Sequence, residues 1–276
     1  MTTTTYTDER PSAGETVTPA SRVSPLEGLQ QTLTLAWRTI VQIRHNAWEL
    51  GDFSFQPIMF LLLFTYVFGG ALAGSTEEYL RFALPGIIVM NMLFVTMYVG
   101  MGLNTDITKG VFDRLRSLPI ARWAPMAGRI MADLLKQAWS IVLLLVVGFI
   151  MGFRVGTSFI ELIAAVALIL VFALAFSWVS VLVGILAKSP EQVQLFGFTA
   201  LFPITFVSNV FVQEETMPGW LQAVVERNPV SILSDAARGL MIGGPVAEPV
   251  MWTLVWAFAI AAVFSTLSML AFRRRV

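Results

Sequence analysis

The sequence predicts an all-α membrane protein with six transmembrane helices, and three observations predict it. Of the 276 residues, 56% are hydrophobic and only 13% charged, where a soluble domain carries about 25% charge. With a mean hydropathy of +0.73, a water-soluble globule of this size has no interior able to hide so much apolar side chain. Second, the charges leave long gaps at 53–76, 82–105, 137–153, 162–187, 192–213 and 249–272, and about 20 apolar residues in a helix cross a bilayer. Third, if those gaps alternate in direction from an inside N-terminus, 14 of the 18 Lys and Arg fall on the inner side. The positive-inside rule then places both termini in the cytoplasm.

Each element follows in order. Residues 1–25 lack an apolar core and are rich in Thr, Ser and Pro. They read as a disordered cytoplasmic tail with no cleavable signal peptide. One domain covers 26–276. It opens with an amphipathic interface helix over 26–50, where Leu26, Leu29, Leu33, Trp37 and Ile40 recur every three or four residues and Glu27, Gln30, Gln31, Arg38 and Gln42 face elsewhere. Two roles fit it: a lever joining a cytoplasmic partner to the first span, or a plain membrane anchor. The spans are placed at about 53–75, 82–105, 134–153, 161–187, 193–212 and 250–272. The third is short in charge-free residues, and Leu134 and Leu135 complete it if Lys136 snorkels to the interface.

Between the second and third spans lies an inner loop, 106–133, and the stretch from Asp106 to Lys136 holds six basic residues. Gly110 allows a bend, and Val111–Leu118 forms a two-turn helix ended by Pro119. Val111, Leu115 and Leu118 share one face with Asp113, Arg114 and Arg116 around it. A short helix of this kind suits a groove on a cytoplasmic protein, although an ordinary positive-inside loop has the same composition. The outer segment 213–249 carries two short helices, Met217–Val225 and Val230–Ile242, separated by Asn228-Pro229 and closed by Gly243-Gly244-Pro245. It is too apolar for a free loop and folds back on the membrane or the span tops, either as a lid over an exit or as packing.

Absent features narrow the mechanism. There are no cysteines and one histidine, His45, so thiol and histidine-built metal sites are excluded. The charge-free gaps hold no ionisable relay groups of the kind ion-coupled carriers keep at membrane depth. No Gly-Lys dipeptide occurs, so there is no phosphate-cradling P-loop, and zincin and serine-elbow motifs are missing too. A net charge of zero removes the basic footprint of a nucleic-acid binder. If the chain moves a substrate, the energy comes from another polypeptide. The second span carries Met90, Asn91, Met92, Phe94, Met97, Tyr98 and Met101; the fifth carries Phe196, Phe198, Phe202, Pro203, Phe206, Ser208 and Asn209. Met and aromatic side chains make adaptable apolar surfaces fit for lipophilic cargo, or simply pack a membrane helix. A buried Asn needs a partner there.

The inner-loop run Gly110-Val111-Phe112-Asp113-Arg114-Leu115-Arg116-Ser117-Leu118-Pro119-Ile120 resembles the signature of type-2 ABC exporter permeases of the daunorubicin-resistance branch. Ser189-Pro190-Glu191 with Phe202-Pro203 and Ser208-Asn209-Val210-Phe211 agrees, as do Met217-Pro218-Gly219-Trp220-Leu221-Gln222 and Asn228-Pro229-Val230 with Arg238-Gly239. The similarity covers nearly everything after residue 25. One departure is that Thr108-Lys109 precede Gly110, where the family commonly has an acid. The resemblance implies a permease that dimerises, with a second copy or a paralogue, and pairs with two cytoplasmic ATPase subunits in a bacterial cytoplasmic membrane. This chain would bind no cofactor, the ATP and Mg residing in the ATPase. Residues 110–119 would form the coupling helix, Phe112 and Leu115 as apolar plugs and Asp113, Arg114 and Arg116 as polar contacts. The substrate would pass Asn91, Phe94, Met97, Tyr98, Phe198, Phe202, Phe206 and Asn209. It would leave past an outer gate of Met217, Pro218, Trp220, Asn228, Pro229 and Arg238.

On this basis the cargo is a lipophilic drug, antibiotic or lipid. A polysaccharide or glycolipid exporter of the same fold and a non-transporting membrane scaffold are the competing expectations. The zero net charge itself splits across the bilayer into 14 basic and 10 acidic residues inside, and 4 basic and 8 acidic outside.

Overall fold

The computed structural model describes residues 47–111 and 124–275. The tail 1–25, most of the interface helix and residues Phe112–Pro119 of the coupling segment lie outside the described residues. Among those described, every regular element is helical. Helix α1 (Ala47–Leu63) continues through a π-helical turn at Phe64–Phe68 into α2 (Gly69–Ala73), and Gly74, at φ 74°, ends the run in the left-handed region. The expected border between interface helix and first span is thus crossed by one unbroken helix.

Helix α3 (Thr76–Thr108) starts at Ser75, whose side chain accepts from the Glu78 N–H, and carries Glu77 and Glu78 in its first turn, where the helix dipole favours them. It is the most deeply buried of the long helices. Helix α4 (Ala124–Ile150) returns antiparallel to it. Helix α5 (Phe159–Leu186) begins with a capping box between Ser158 and Glu161. Helices α6 (Pro190–Phe206), α7 (Gly219–Val225), α8 (Pro229–Ile242) and α9 (Ala247–Arg275) complete the chain.

Close backbone approach holds α3 to α5. A Cβ on Gly100 would stand 2.3 Å from the Ser180 carbonyl oxygen, and one on Gly184 would stand 2.4 Å from the Gly100 carbonyl. Small residues at a membrane crossing allow that contact. Asn104, near the C-terminal end of α3, donates to the Gly184 and Ala187 carbonyls at 3.0 and 2.8 Å, serving the C-terminus of α5.

Five helical stretches among the described residues are long and apolar enough to cross a membrane: Phe55–Ala73, Thr76–Thr108, Gly128–Ile150, Phe159–Leu186 and Ala247–Phe272. The difference from expectation lies in the segment 193–212. Helix α6 stops at Phe206 after 17 residues, about 25 Å at 1.5 Å per residue, and 207–212 are irregular. Pro203 has no N–H for the Thr199 carbonyl, and the last turn's carbonyls find side-chain partners elsewhere. Helices α7 and α8 lie within two residues of the bounds expected for the two short helices of 213–249.

Candidate functional site

Three helices enclose one cavity. Met90, Asn91, Phe94, Val95 and Tyr98 form a stripe on α3, and Phe198, Phe202 and Phe206, spaced four apart, form one face of α6. Gln56, Pro57 and Phe60 of α1 complete the wall. The cavity between them is small, about 50 Å³, and partly open to the surroundings. Phe94 and Phe198 meet across the cavity with ring centroids 5.6 Å apart. Its polar groups are few: Gln56, Tyr98, and Asn91, whose Nδ2 donates to Ser140 Oγ on α4 at 2.8 Å. That bond satisfies an amide that hydrocarbon alone would leave bare.

A chain of rings closes the end of the cavity nearest the C-terminus of α6. Phe202 stacks on Phe206 at 4.2 Å, Phe206 meets Phe211 at 5.1 Å, and Phe211 stacks on Phe64 at 4.2 Å. Phe64 in turn lies 6.0 Å from Phe60. The π-helical turn carries Phe64 into this cluster.

Behind the rings, side chains of the outer segment satisfy the broken end of α6. Asn228 Nδ2 donates to the Ile204 and Val207 carbonyls at 2.8 and 2.6 Å, while its Oδ1 accepts from Val230 N–H and caps α8. Arg238 is 8% exposed. Its Nη2 donates to the Asn209 and Val210 carbonyls at 2.6 and 3.3 Å, and its Nε to the Phe82 carbonyl on α3 at 3.0 Å. Its Nη1 donates to Asp235 Oδ1 at 3.0 Å, and its guanidinium carbon lies 3.9 Å from the centre of the Phe82 ring. Asp235 also accepts from Asn209 Nδ2, and Tyr79 Oη donates to the Phe211 carbonyl at 3.1 Å. Irregular backbone at membrane depth survives where protein groups satisfy it, and this network does so. Nearby, Glu214 is held above the ordinary carboxylate range by partial burial and by Asp235, Glu215 and Glu226, with Arg238 opposing.

Of the expected pathway residues, Asn91, Phe94, Tyr98, Phe198, Phe202 and Phe206 surround the cavity. Met97 does not: it packs on Gly197, where an added Cβ would lie 2.6 Å from its Sδ. Asn209 belongs to the Arg238–Asp235 network. Among the expected outer residues, Asn228, Pro229 and Arg238 build the cap. Met217 and Pro218 lead into α7, and Trp220 is 73% exposed. At the C-terminal end of α3, Gly110, at φ 66°, turns the chain, with Val111 next; Phe112 to Pro119 lie outside the described residues.

Sequence reasoning missed Gln56, Pro57, Phe60 and Val95 of the cavity and Tyr79 and Asp235 of the cap, and it met Phe211 only as part of a family motif. Gln56, a polar residue in an apolar run, and Asp235, three residues before Arg238, were the available signals.

A cleft of aromatic side chains among helices long and apolar enough to cross a membrane marks an integral membrane protein. The chain belongs to the ABC-2 type transporter family, whose model matches residues 30–242. It is 40% identical over 264 residues to the daunorubicin resistance ABC transporter permease protein DrrB1 of Streptomyces coeruleorubidus, covering 96% of this chain and 91% of that one. It is 25% identical to the probable doxorubicin resistance ABC transporter permease protein DrrC of Mycobacterium tuberculosis, over 79% of each chain. A probable multidrug ABC transporter permease, YbhR of Escherichia coli, is 21% identical over 72% of this chain and 54% of its own length.

Proposed function

We propose that this chain is the permease subunit of an ATP-driven exporter that moves a lipophilic drug, antibiotic or lipid outward across a bacterial cytoplasmic membrane. The observation that carries this is the aromatic cleft between α1, α3 and α6, where six aromatic rings and few polar groups make an adaptable apolar surface for lipophilic cargo to part. Helix α6 is the fifth of six spans, short because its outer end is completed by the capped segment 207–212, and both termini are cytoplasmic. Two permeases, identical or paralogous, work with two ATPase subunits that hold the ATP and Mg. The segment 111–118 docks in the ATPase and passes its closure to α3 and α4. Substrate then leaves past the ring cluster and the outer hairpin. The printed names of the relatives make doxorubicin and daunorubicin the first probes.

The test is co-purification from membranes followed by mass spectrometry for an ABC ATPase, together with ATP-dependent doxorubicin uptake into inverted vesicles. Leu115→Asp or Arg114→Glu is expected to abolish uptake while leaving the spans folded. A wild-type chain that captures no ATPase, or variants that still take up doxorubicin at the wild-type rate, would sink the assignment.

A further inference from the structure

The α3–α4 hairpin carries two polar rungs. The outer one is Asn91–Ser140 in the cavity wall. In the inner one Arg129 Nη1 donates to Asp106 Oδ2 at 2.7 Å. Asp106 stands near the end of α3 and Arg129 near the start of α4, so this pair ties together the two ends of the loop between them. The guanidinium occupies the notch left by Gly102: a Cβ there would lie 1.3 Å from Nη2 and 2.0 Å from Cζ. A side chain at 102 would push the guanidinium out of this seat. Asp133 Oδ2 lies 4.0 Å from Arg129 Nε, and Lys136 Nζ lies 3.3 Å from Asp133 Oδ1, which extends the network along α4. Between the rungs Gln137 is buried, and neither of its amide atoms has a hydrogen-bond partner among the described residues.

An ion pair this exposed contributes little to stability. What it fixes is position, because the arginine fork is seated by shape as well as charge. Asn91 is 15 residues from Asp106, about 22 Å along one continuous helix. We propose that Arg129 is a positioning residue for coupling. Seated on Gly102 and paired with Asp106, it holds the ends of the inner loop together, so that a push on that loop reaches Asn91 and the cavity as motion of the whole hairpin. Without it, the two helix ends splay and the push is spent locally. This rests on the exporter assignment above.

The experiment uses the full chain with its co-purified ATPase in inverted vesicles and measures doxorubicin uptake per ATP hydrolysed. Arg129→Ala and Gly102→Ala are each expected to keep the ATPase bound and hydrolysing while that ratio falls about three- to tenfold. The double variant should fall no further than the worse single one, since both substitutions remove one contact. Arg129→Lys should lie between, a single ammonium replacing the fork. Tryptophan-fluorescence melts establish folding; if Arg129→Ala does not fold, Gly102→Ala and Arg129→Lys carry the comparison. An unchanged ratio in the folded single variants, or losses that multiply in the double, would overturn the proposal. If the wild-type chain exports and the variants export equally well per ATP, only the coupling role of Arg129 fails. If the wild-type chain binds no ATPase, the exporter assignment fails first.

Discussion

Replacing Arg238 by methionine keeps most of the volume and removes the donors that satisfy the broken end of α6. Two of its carbonyl bonds are short, 2.6 Å to Asn209 and 3.0 Å to Phe82; the third, 3.3 Å to Val210, shares a donor with the first. Asp235 is 42% exposed at its side chain, so the lost ion pair costs at most about 1 kcal/mol. The two short bonds dominate, each worth about 1.5–3 kcal/mol because the donor is charged. Methionine recovers the desolvation of the guanidinium but leaves the carbonyls bare, which brings the net loss to about 3–5 kcal/mol. In a fold of this size that corresponds to a melting point lower by roughly 6 °C or more. Thermal unfolding in micelles, followed by tryptophan fluorescence, measures it. Asp235→Asn serves as the control and should move the midpoint by far less. A methionine variant melting within about 2 °C of wild type would refute the capping role of the guanidinium.

Alanine at Phe94 or Phe202 should change which lipophilic drugs the host resists, without lowering the amount of folded permease; identical resistance profiles would make both residues mere packing. Gly184→Leu should prevent α3 and α5 from closing, since even a Cβ would stand 2.4 Å from the Gly100 carbonyl, and should cost at least about 3 kcal/mol; expression and melting of the purified variant report it. Glu214 binds its proton more tightly folded than unfolded, because burial and the neighbouring acids raise it. Stability therefore rises as pH falls through its folded value, and the gain is complete below the ordinary 4.5. Glu214→Gln should flatten that slope in melts between neutral pH and about 4.5; an unchanged slope would assign it to other groups.

The long helices were legible because uniform hydropathy bounded by charge needs no tertiary information. Ser75, Ser158, Asn228-Pro229 and Gly243 mark ends by local chemistry, which is why the outer helices fell close to expectation. The break in α6 was not legible. Pro203 sits in an apolar run, and what stabilises the break there are Asn228 and Arg238, distant in sequence. The α6 face of the cavity showed in the spacing of Phe198, Phe202 and Phe206. Met97 lies at the edge of the same stripe, and it turns away because Gly197 on α6 leaves space for its side chain, which the sequence of α3 alone does not show. Gln56 and Phe60 were hidden because nothing in α1 alone says which of its faces meets α3.

The end of the cavity nearest the C-terminus of α6 is held by contacts of two unequal kinds. Pulling α8 away from α6 strips carbonyls of Asn228 and Arg238 at a cost of several kcal/mol. Parting Phe206 from Phe211, or Phe211 from Phe64, forfeits about 0.5–1.5 kcal/mol per ring pair beyond the buried area, and a lipophilic molecule entering the gap replaces those contacts. The soft boundary is therefore the ring cluster, and the broken end of α6 should travel with α8 as one piece. The chain has no cysteines, so introduced pairs can be joined with a short reducible cross-linker. Joining Ile204→Cys to Arg227→Cys, on the capped side, should leave doxorubicin export intact. Joining Phe64→Cys to Phe211→Cys, across the rings, should stop it until reductant is added. Export blocked by the first tether and untouched by the second would place the opening between α6 and α8, against the energies worked out above.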